Sequence, residues 1–353
     1  MTAITSTYRS IAEAQMMPRL VHLGANLYGA VFTLMKLLPA HYILRRADLD
    51  EDTVVVETTS GTFGLALAME TALMRRRLVL VSDPTIDARL HARLTDLGAT
   101  VHICRDSAPV GGFQGARLNK LAEIRAELPS TFCPEQYSNP DNPRSYGVVA
   151  EMLARSLGTV DCLVGAVGSG GSMCGTVGGL RELTPHTLAI GVDTHRSVLF
   201  GQPDGSRAVR GLGNSLWPGN LDHTAFDEVH WCSAAETYAA TRRLHATHAV
   251  FQGPTSGAAY QVARWWADRH PDALCVVMLP DEGHRYLATV YDDAWLAEQG
   301  HTLTELPTVP TVVDSPAEAG AGWTRIAWNR RRYEDVPGTV IKTTGPVPEW
   351  TLS

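Results

Sequence analysis

The sequence predicts an α/β protein with mostly parallel sheets, and three observations carry that prediction. Its short apolar runs are continuous, segments with helical spacing separate them, and small-residue turns mark the passage from several runs into a helix. A strand covered on both faces has no polar side to alternate, and strands that alternate with helices form parallel sheets through right-handed crossovers. In chain order, TVVVE (53–57) reads as a buried strand and FGLALAMETALMRRR (63–77) as the helix after it. LVLVSD (78–83), the helical DARLHARLTDLGA (87–99) and TVHIC (100–104) continue the alternation. PEQYSNPDNPRSY (134–146) holds too many Pro and Asn for regular structure and is expected to join two α/β units. Beyond it come the strands CLVGAVG (162–168) and LAIGVD (188–193), the helix AAETYAATRRLHAT (234–247) and the strand LCVVMLPD (274–281). After about residue 300, TLTELPTVPTVVDSPAEAGAG is rich in Pro, Thr and Ala and reads as an extended arm that wraps the body or a partner subunit, followed by a tail.

At 353 residues, with 44% hydrophobic and 19% charged side chains, the chain has a globular composition and the length of about two domains. A net charge of −7 gives no basic stripe for a phosphate backbone, which argues against nucleic acid as a partner. Cys104, Cys133, Cys162, Cys174, Cys232 and Cys275 lie far apart, without CxxC or a histidine pair at metal spacing. They read as small buried hydrophobes in a reduced compartment, with no metal site. The N-terminal residues lack the apolar core of a signal peptide, and no uncharged run has the length of a membrane span, so the expected location is the cytoplasm, with no membrane partner. His41, His91, His245 and His248 fall on helical segments and read as surface or satisfied core histidines, and the tryptophans as packing and interface residues.

Lys36, Lys120 and Lys342 are the lysines among 30 basic residues, an excess of arginine that a coding bias explains. Lys36, in the apolar FTLMKLLPAHYILRRA, is the one whose setting needs a reason. ETTSGTFG (57–64) follows a strand and opens a helix, so the backbone N–H groups of Thr59, Ser60, Gly61 and Thr62 suit a carboxylate or phosphate, although every α/β crossover needs such a turn. GAVGSGGSMCG (165–175) occupies a like position, where Gly168, Gly170 and Gly171 admit a ligand to the backbone and Ser169 and Ser172 offer hydroxyls. Met173 stands where a dinucleotide fingerprint needs glycine and no GK[ST] is present, which leaves a cup for one phosphate. MLPDEGHRY (278–286) ends a strand, where Asp281 or Glu282 can face a cationic heterocycle nitrogen; a helix N-cap with an acidic first turn is the alternative for either. A desolvated lysine, a phosphate cup, an anion turn and a strand-end acid together suit pyridoxal 5'-phosphate.

These motifs resemble the cysteine synthase and cystathionine β-synthase group of pyridoxal-phosphate enzymes, over roughly residues 17–292. MPRLVHL is similar to TPLVRL, ETTSGTFG to EPTSGNTG, QYSNPDNP to QFSNPANP and GSGGS to GTGGT; GLGNSLWPGNLD, PTSGAA and PDEGHRYL are similar to GIGAGFIPGNLD, SSGAA and PSSGERYL. The resemblance implies fold type II: two three-layer αβα domains with the cofactor between them. The expected domains are 35–145, with a mobile subdomain at about 65–125, then 1–34 with 146–300, then an arm at 301–353. It also implies a homodimer acting on small amino-acid substrates. Lys36 would carry the cofactor as an imine and move the substrate α-proton. Gly168, Ser169, Gly170, Gly171 and Ser172 would bind the cofactor phosphate. Thr59, Ser60, Gly61, Thr62 and Gln136 would hold the substrate carboxylate.

Departures from the family pattern are specific. SxKDR becomes TLMKLL, Thr62 replaces the Asn that contacts the ring hydroxyl, Phe63 replaces a Thr, and Glu282 takes the place of the serine opposite the pyridine nitrogen. A rival register lays Pro39 and Leu44 on the family's PxxSxK and leaves no lysine for the cofactor. Pro39 in the first turn of the following helix, where a missing N–H is harmless, favours Lys36. The implied reaction is β-replacement on an activated serine such as O-acetylserine or O-phosphoserine, through an aminoacrylate, giving a sulfur or non-proteinogenic amino acid in specialised metabolism. Elimination with deamination of a hydroxy amino acid, and a non-catalytic relative with a regulatory or scaffold role, remain as alternatives.

Overall fold

The computed structural model describes residues 8–59, 61–109, 112–303 and 305–339. In chain order its elements begin α1 (Ile11–Met16), β1 (Arg19–His22), β2 (Leu27–Val31), α2 (Leu37–Arg46), β3 (Val54–Thr58), α3 (Thr62–Leu73), β4 (Leu78–Ser82), α4 (Ala88–Asp96) and β5 (Ala99–Ile103). They continue with α5 (Gly112–Glu127), β6 (Thr131–Phe132), α6 (Asp141–Ser145), α7 (Gly147–Leu157), β7 (Cys162–Ala166), α8 (Gly171–Leu183) and β8 (Leu188–Thr194). The last are β9 (Glu228–Cys232), α9 (Ala234–His248), α10 (Pro254–Ala267), β10 (Cys275–Leu279), α11 (Asp293–Glu298), β11 (Thr311–Val312) and β12 (Thr324–Ala327). Two compact units result, Met1–Met17 with Thr33–Asn142 and Pro18–Phe32 with Pro143–Ser353.

The first unit is built on a parallel four-stranded sheet in the order β5-β4-β3-β6. Val55, Leu78, Leu80 and Ala99 face one core with α2, α3 and α4, while Val54, Val56, Val79 and Val81 face a second core with Leu121 and Ile124 of α5. Covering both faces is why the run at 53–57 shows no alternation. α3 is buried almost all round, from Phe63 to Thr71, as a helix in the middle of a layer must be.

The second unit carries an eight-stranded sheet in the order β1-β2-β10-β7-β8-β9-β12-β11 among the described residues. β2, β10, β7, β8 and β9 run parallel, and antiparallel β1 and β12 flank them. α9 and α10 cover one face, with Tyr238, Leu244, Ala259 and Val262 in the core. α7 and α8 pack together beside β7 and β8, burying Val149, Leu153, Met173 and Val177.

The C-terminal segment expected as an arm supplies β11 and β12, the latter paired with β9 from Thr324↔Trp231 to Ala327↔Glu228. Trp323, Trp328 and Tyr333 are buried. At the start of α9, Ser233 and Glu236 form a capping box, and Glu236 Oε1 also accepts the Trp323 N–H at 2.8 Å. This pattern hides in sequence because the strands are short and scattered among prolines. Residues 340–353 lie outside the described residues. The Pro- and Asn-rich stretch at 134–146 was expected to be irregular, yet its last residues form the short α6, which straddles the boundary between the two units. His41 Nδ1 donates to Glu70 Oε2 at 3.1 Å, and His248 Nε2 shares a hydrogen bond with Tyr260 Oη at 2.9 Å.

Trp328 is fully buried, edge-on to Phe200 at 5.2 Å between centroids, and donates its indole N–H to Arg331 O at 2.9 Å. Trp328→Ala should therefore cost about 3–5 kcal/mol in denaturant unfolding; a near-neutral result would mean that the C-terminal segment is not part of the folded core.

Candidate active site

Lys36 is the N-cap residue of α2, between Met35 and Leu37, both buried. Its carbonyl accepts the Ala40 N–H at 3.2 Å, and the Leu37 and Leu38 N–H groups turn back to Leu34 O and Met35 O. Pro39 therefore sits in the first turn, the one place where a helix does without an N–H. Burial pulls the Lys36 amine down to about 8, so a larger share is neutral and nucleophilic at ordinary pH than for a solvated lysine. Leu37 and Leu38, which stand where the family carries Asp and Arg, are buried apolar residues of the same unit.

α3 packs beside α2 and begins at the β3 turn. Thr59 is buried, and its Oγ1 accepts the N–H groups of Gly61 at 3.2 Å and Gly64 at 3.3 Å, so that hydroxyl serves the helix start. A side chain at position 64 would begin 2.3 Å from Thr59 Cγ2, so only glycine lets the turn close this tightly. Gly61 is the N-cap, Thr62 is half-buried in the first turn, and Phe63 points into the core. Ser60 lies outside the described residues.

Gln136 is buried, and its backbone N–H reaches Glu57 Oε2 at 3.4 Å while Asn142 Nδ2 donates to its carbonyl. Glu57 is the residue that sequence reading passed over. It is buried at the end of β3, its Oε1 accepts the Thr58 N–H at 2.8 Å, and burial pushes its carboxyl up to about 7 against those bonds. It ties the Gln136 segment to the strand that carries the anion turn. Its place at the head of ETTSGTFG was the available signal.

In the second unit, β7 and β10 are parallel neighbours, so the Gly168–Ser172 loop and the 281–282 acids leave from the same end of the sheet. Gly170 caps α8 with φ 82°, and a side chain there would begin 2.7 Å from Leu221 Cα and 2.9 Å from Asn220 O. Gly168 O accepts Asn214 Nδ2 at 3.3 Å, Ser169 is buried, Gly171 opens the helix, and Ser172 is half-buried in its first turn. The two strand-end acids differ. Asp281 is buried, accepts Tyr286 Oη at 2.8 Å with Arg285 at 3.6 Å, and burial raises its pKa. Glu282 is part-exposed and pairs with Arg19 and His284, both at 3.5 Å. Asn214, inside GLGNSLWPGNLD, and the buried Asp193, which closes LAIGVD at the end of β8, were quoted in the sequence without being singled out, because their partners are distant in the chain.

A family model described as pyridoxal-phosphate dependent enzyme matches residues 34–281. An N-(2-amino-2-carboxyethyl)-L-glutamate synthase from Cupriavidus metallidurans is 34% identical over 297 residues, which is 80% of this chain and 87% of that protein. Among solved structures, a hydrogen sulfide-producing enzyme from Fusobacterium nucleatum superposes with TM-score 0.75 at 25% identity, covering 80% of this chain and 99% of its own. A cysteine synthase from Entamoeba histolytica does so with TM-score 0.75 at 23% identity, covering 82% and 93%. The architecture is thus that of fold type II, as the motifs imply.

The residues present fit pyridoxal phosphate. Glycine at 170 brings the Asn220–Leu221 backbone against the start of α8, which makes a narrow cup of backbone donors at the positive end of a helix. The desolvated amine of half-buried Lys36 suits the aldehyde, and the buried carboxyl of Asp281 suits a ring nitrogen.

Because the Glu57 carboxyl is held up to about 7, the folded chain keeps a proton that the unfolded chain releases near its ordinary value of about 4.3. Its contribution to stability therefore falls as pH rises from about 4.5 to 7. Carbon-13 NMR of glutamate-labelled protein should show one carboxyl titrating near 7 that is absent from Glu57→Gln; a full set of ordinary titrations would refute this.

Proposed function

Because the chain belongs to the pyridoxal-phosphate dependent enzyme family, we propose that it is a cysteine synthase-like enzyme catalysing β-replacement on an activated serine, with the α-amine of glutamate as the incoming nucleophile. The observation that carries the reading is Lys36, a half-buried lysine at a helix start whose amine desolvation pulls down to about 8. The glutamate amine is taken from the relative that is 34% identical, whose name describes such a product.

Bound pyridoxal phosphate supplies an electron sink for a carbanion at the α-carbon of an amino acid. The protein's own contributions are separable. Lys36 would hold the cofactor and then, in its neutral form, take the α-proton of the substrate; its lowered pKa leaves a larger neutral share than a solvated lysine has. The Thr59–Thr62 turn at the start of α3, with Gln136, holds the substrate carboxylate, and Glu57 orients Gln136 through its backbone. Gly168, Ser169, Gly170, Gly171 and Ser172 hold the phosphate. Of the two strand-end acids, Asp281 is taken as the partner of the ring nitrogen because it is buried where Glu282 is part-exposed. A homodimer, a cytoplasmic location and the domain limits inferred from the motifs belong to the same reading.

Borohydride reduction followed by peptide mass spectrometry should place the cofactor mass on the Lys36 peptide and not on that of Lys120. Incubation with O-acetylserine or O-phosphoserine and glutamate should then give a product joining the serine-derived three-carbon unit to the glutamate nitrogen, and Lys36→Ala should lose at least about 1,000-fold in rate. Keto acid and ammonia formed equally well without a nucleophile would make the chain an eliminating enzyme, and absence of cofactor from Lys36 would remove the reading altogether.

A further inference from the structure

The helix pair α9 and α10 carries a cleft that the chemistry above does not use. It has two lobes, of about 100 Å³ and about 310 Å³, and Arg243, Tyr260, Arg264 and Asp268 line both. Leu306, Pro307 and Trp323 wall the smaller lobe from the C-terminal segment, and Leu23, Leu27 and Ala267 wall the larger.

The groups around it are those of a binding site. Arg243 has no carboxylate partner among the described residues, although the adjacent Arg242 is paired with Asp293. Arg264 meets Asp268 only at 3.8 Å, and Tyr260, almost wholly buried, is hydrogen-bonded to His248 at 2.9 Å. Gln261 is 8% exposed; its Nε2 reaches Pro307 O at 3.4 Å while its Oε1 has no partner, and Trp265 Nε1 in the same wall has none. Arg243, Arg264 and Asp268 together leave one unit of positive charge, which one carboxylate balances. Guanidinium presents a planar fork that matches a carboxylate, and the apolar walls of both lobes suit a short methylene chain.

We propose that this cleft is a second binding site, separate from the cofactor-binding residues, for a small aliphatic carboxylate held by Arg243 and Arg264. The proposal stands whether or not the β-replacement reading does, because it rests on none of the same residues.

Calorimetric titration of the full chain with valerate, with glutarate and inorganic phosphate as comparison anions, tests it. Valerate should give saturable binding that weakens at least about 10-fold in Arg264→Met and in Arg243→Met. Arg243 is exposed, so its replacement leaves the fold intact, which a thermal melt verifies. The indole N–H resonance assigned by Trp265→Phe should shift as valerate is added. Glutarate binding as tightly as valerate would keep the site and widen its class to dicarboxylates. Valerate binding that survives both arginine replacements, or that never saturates, would overturn the proposal. So would phosphate binding as tightly, since it would show an adventitious ion only.

Discussion

The constraint on which this structure depends is that its parallel strands are covered on both faces, so buried acids gather where the strands end. Buried acids stand there, among them Glu57 near the end of β3, Asp193 near the end of β8 and Asp281 just past β10. Burial raises the pKa of each, to about 7 for Glu57 and Asp193, and each is held by a donor close in sequence. Thr58 N–H serves Glu57 at 2.8 Å, Thr194 N–H serves Asp193 at 2.7 Å and Tyr286 Oη serves Asp281 at 2.8 Å. A carboxyl kept at the border of ionisation costs stability, and the sheets concentrate that cost at the edge where ligands bind in open α/β folds. Lys36 obeys the same rule with the opposite charge.

Much of the fold was legible. The six apolar runs correspond to β3, β4, β5, β7, β8 and β10, each within a residue or two at its start, because continuous burial writes a continuous pattern. What escaped was local in a different way. β9, EVHWC, buries His230 and Trp231 in a run that carries polar residues, and β12 is a strand only because β9 offers it an edge. In the candidate site, glycine and serine loops were readable from their small residues, since a backbone that must approach a ligand admits little else. Glu57 and Asp193 were not, because an acid in a strand looks the same in sequence whether it meets solvent or a backbone N–H from 79 residues away, as Glu57 does with Gln136.

Departures from the family pattern take on meaning through burial. Phe63, Leu37 and Leu38 stand where related motifs carry polar groups; all three are buried, Phe63 and Leu37 in the apolar core of the first unit. Their change is a change of core, made beside Lys36 and the turn at 59–62. Polar hydration near the lysine is thereby replaced with hydrocarbon, which acts in the same direction as the desolvation that lowers its pKa.

The strand pairing also sets an order on synthesis. β2 pairs with β10, joining Leu27 to Cys275, and everything from Thr33 to Asn142 belongs to the other unit. An early hairpin must therefore wait on the ribosome for a partner made almost 250 residues later, while the intervening unit has all its strands in hand. Vectorial translation thus lets the lysine-bearing unit form its sheet first, and the sheet that carries the glycine cup is closed only when β10 emerges.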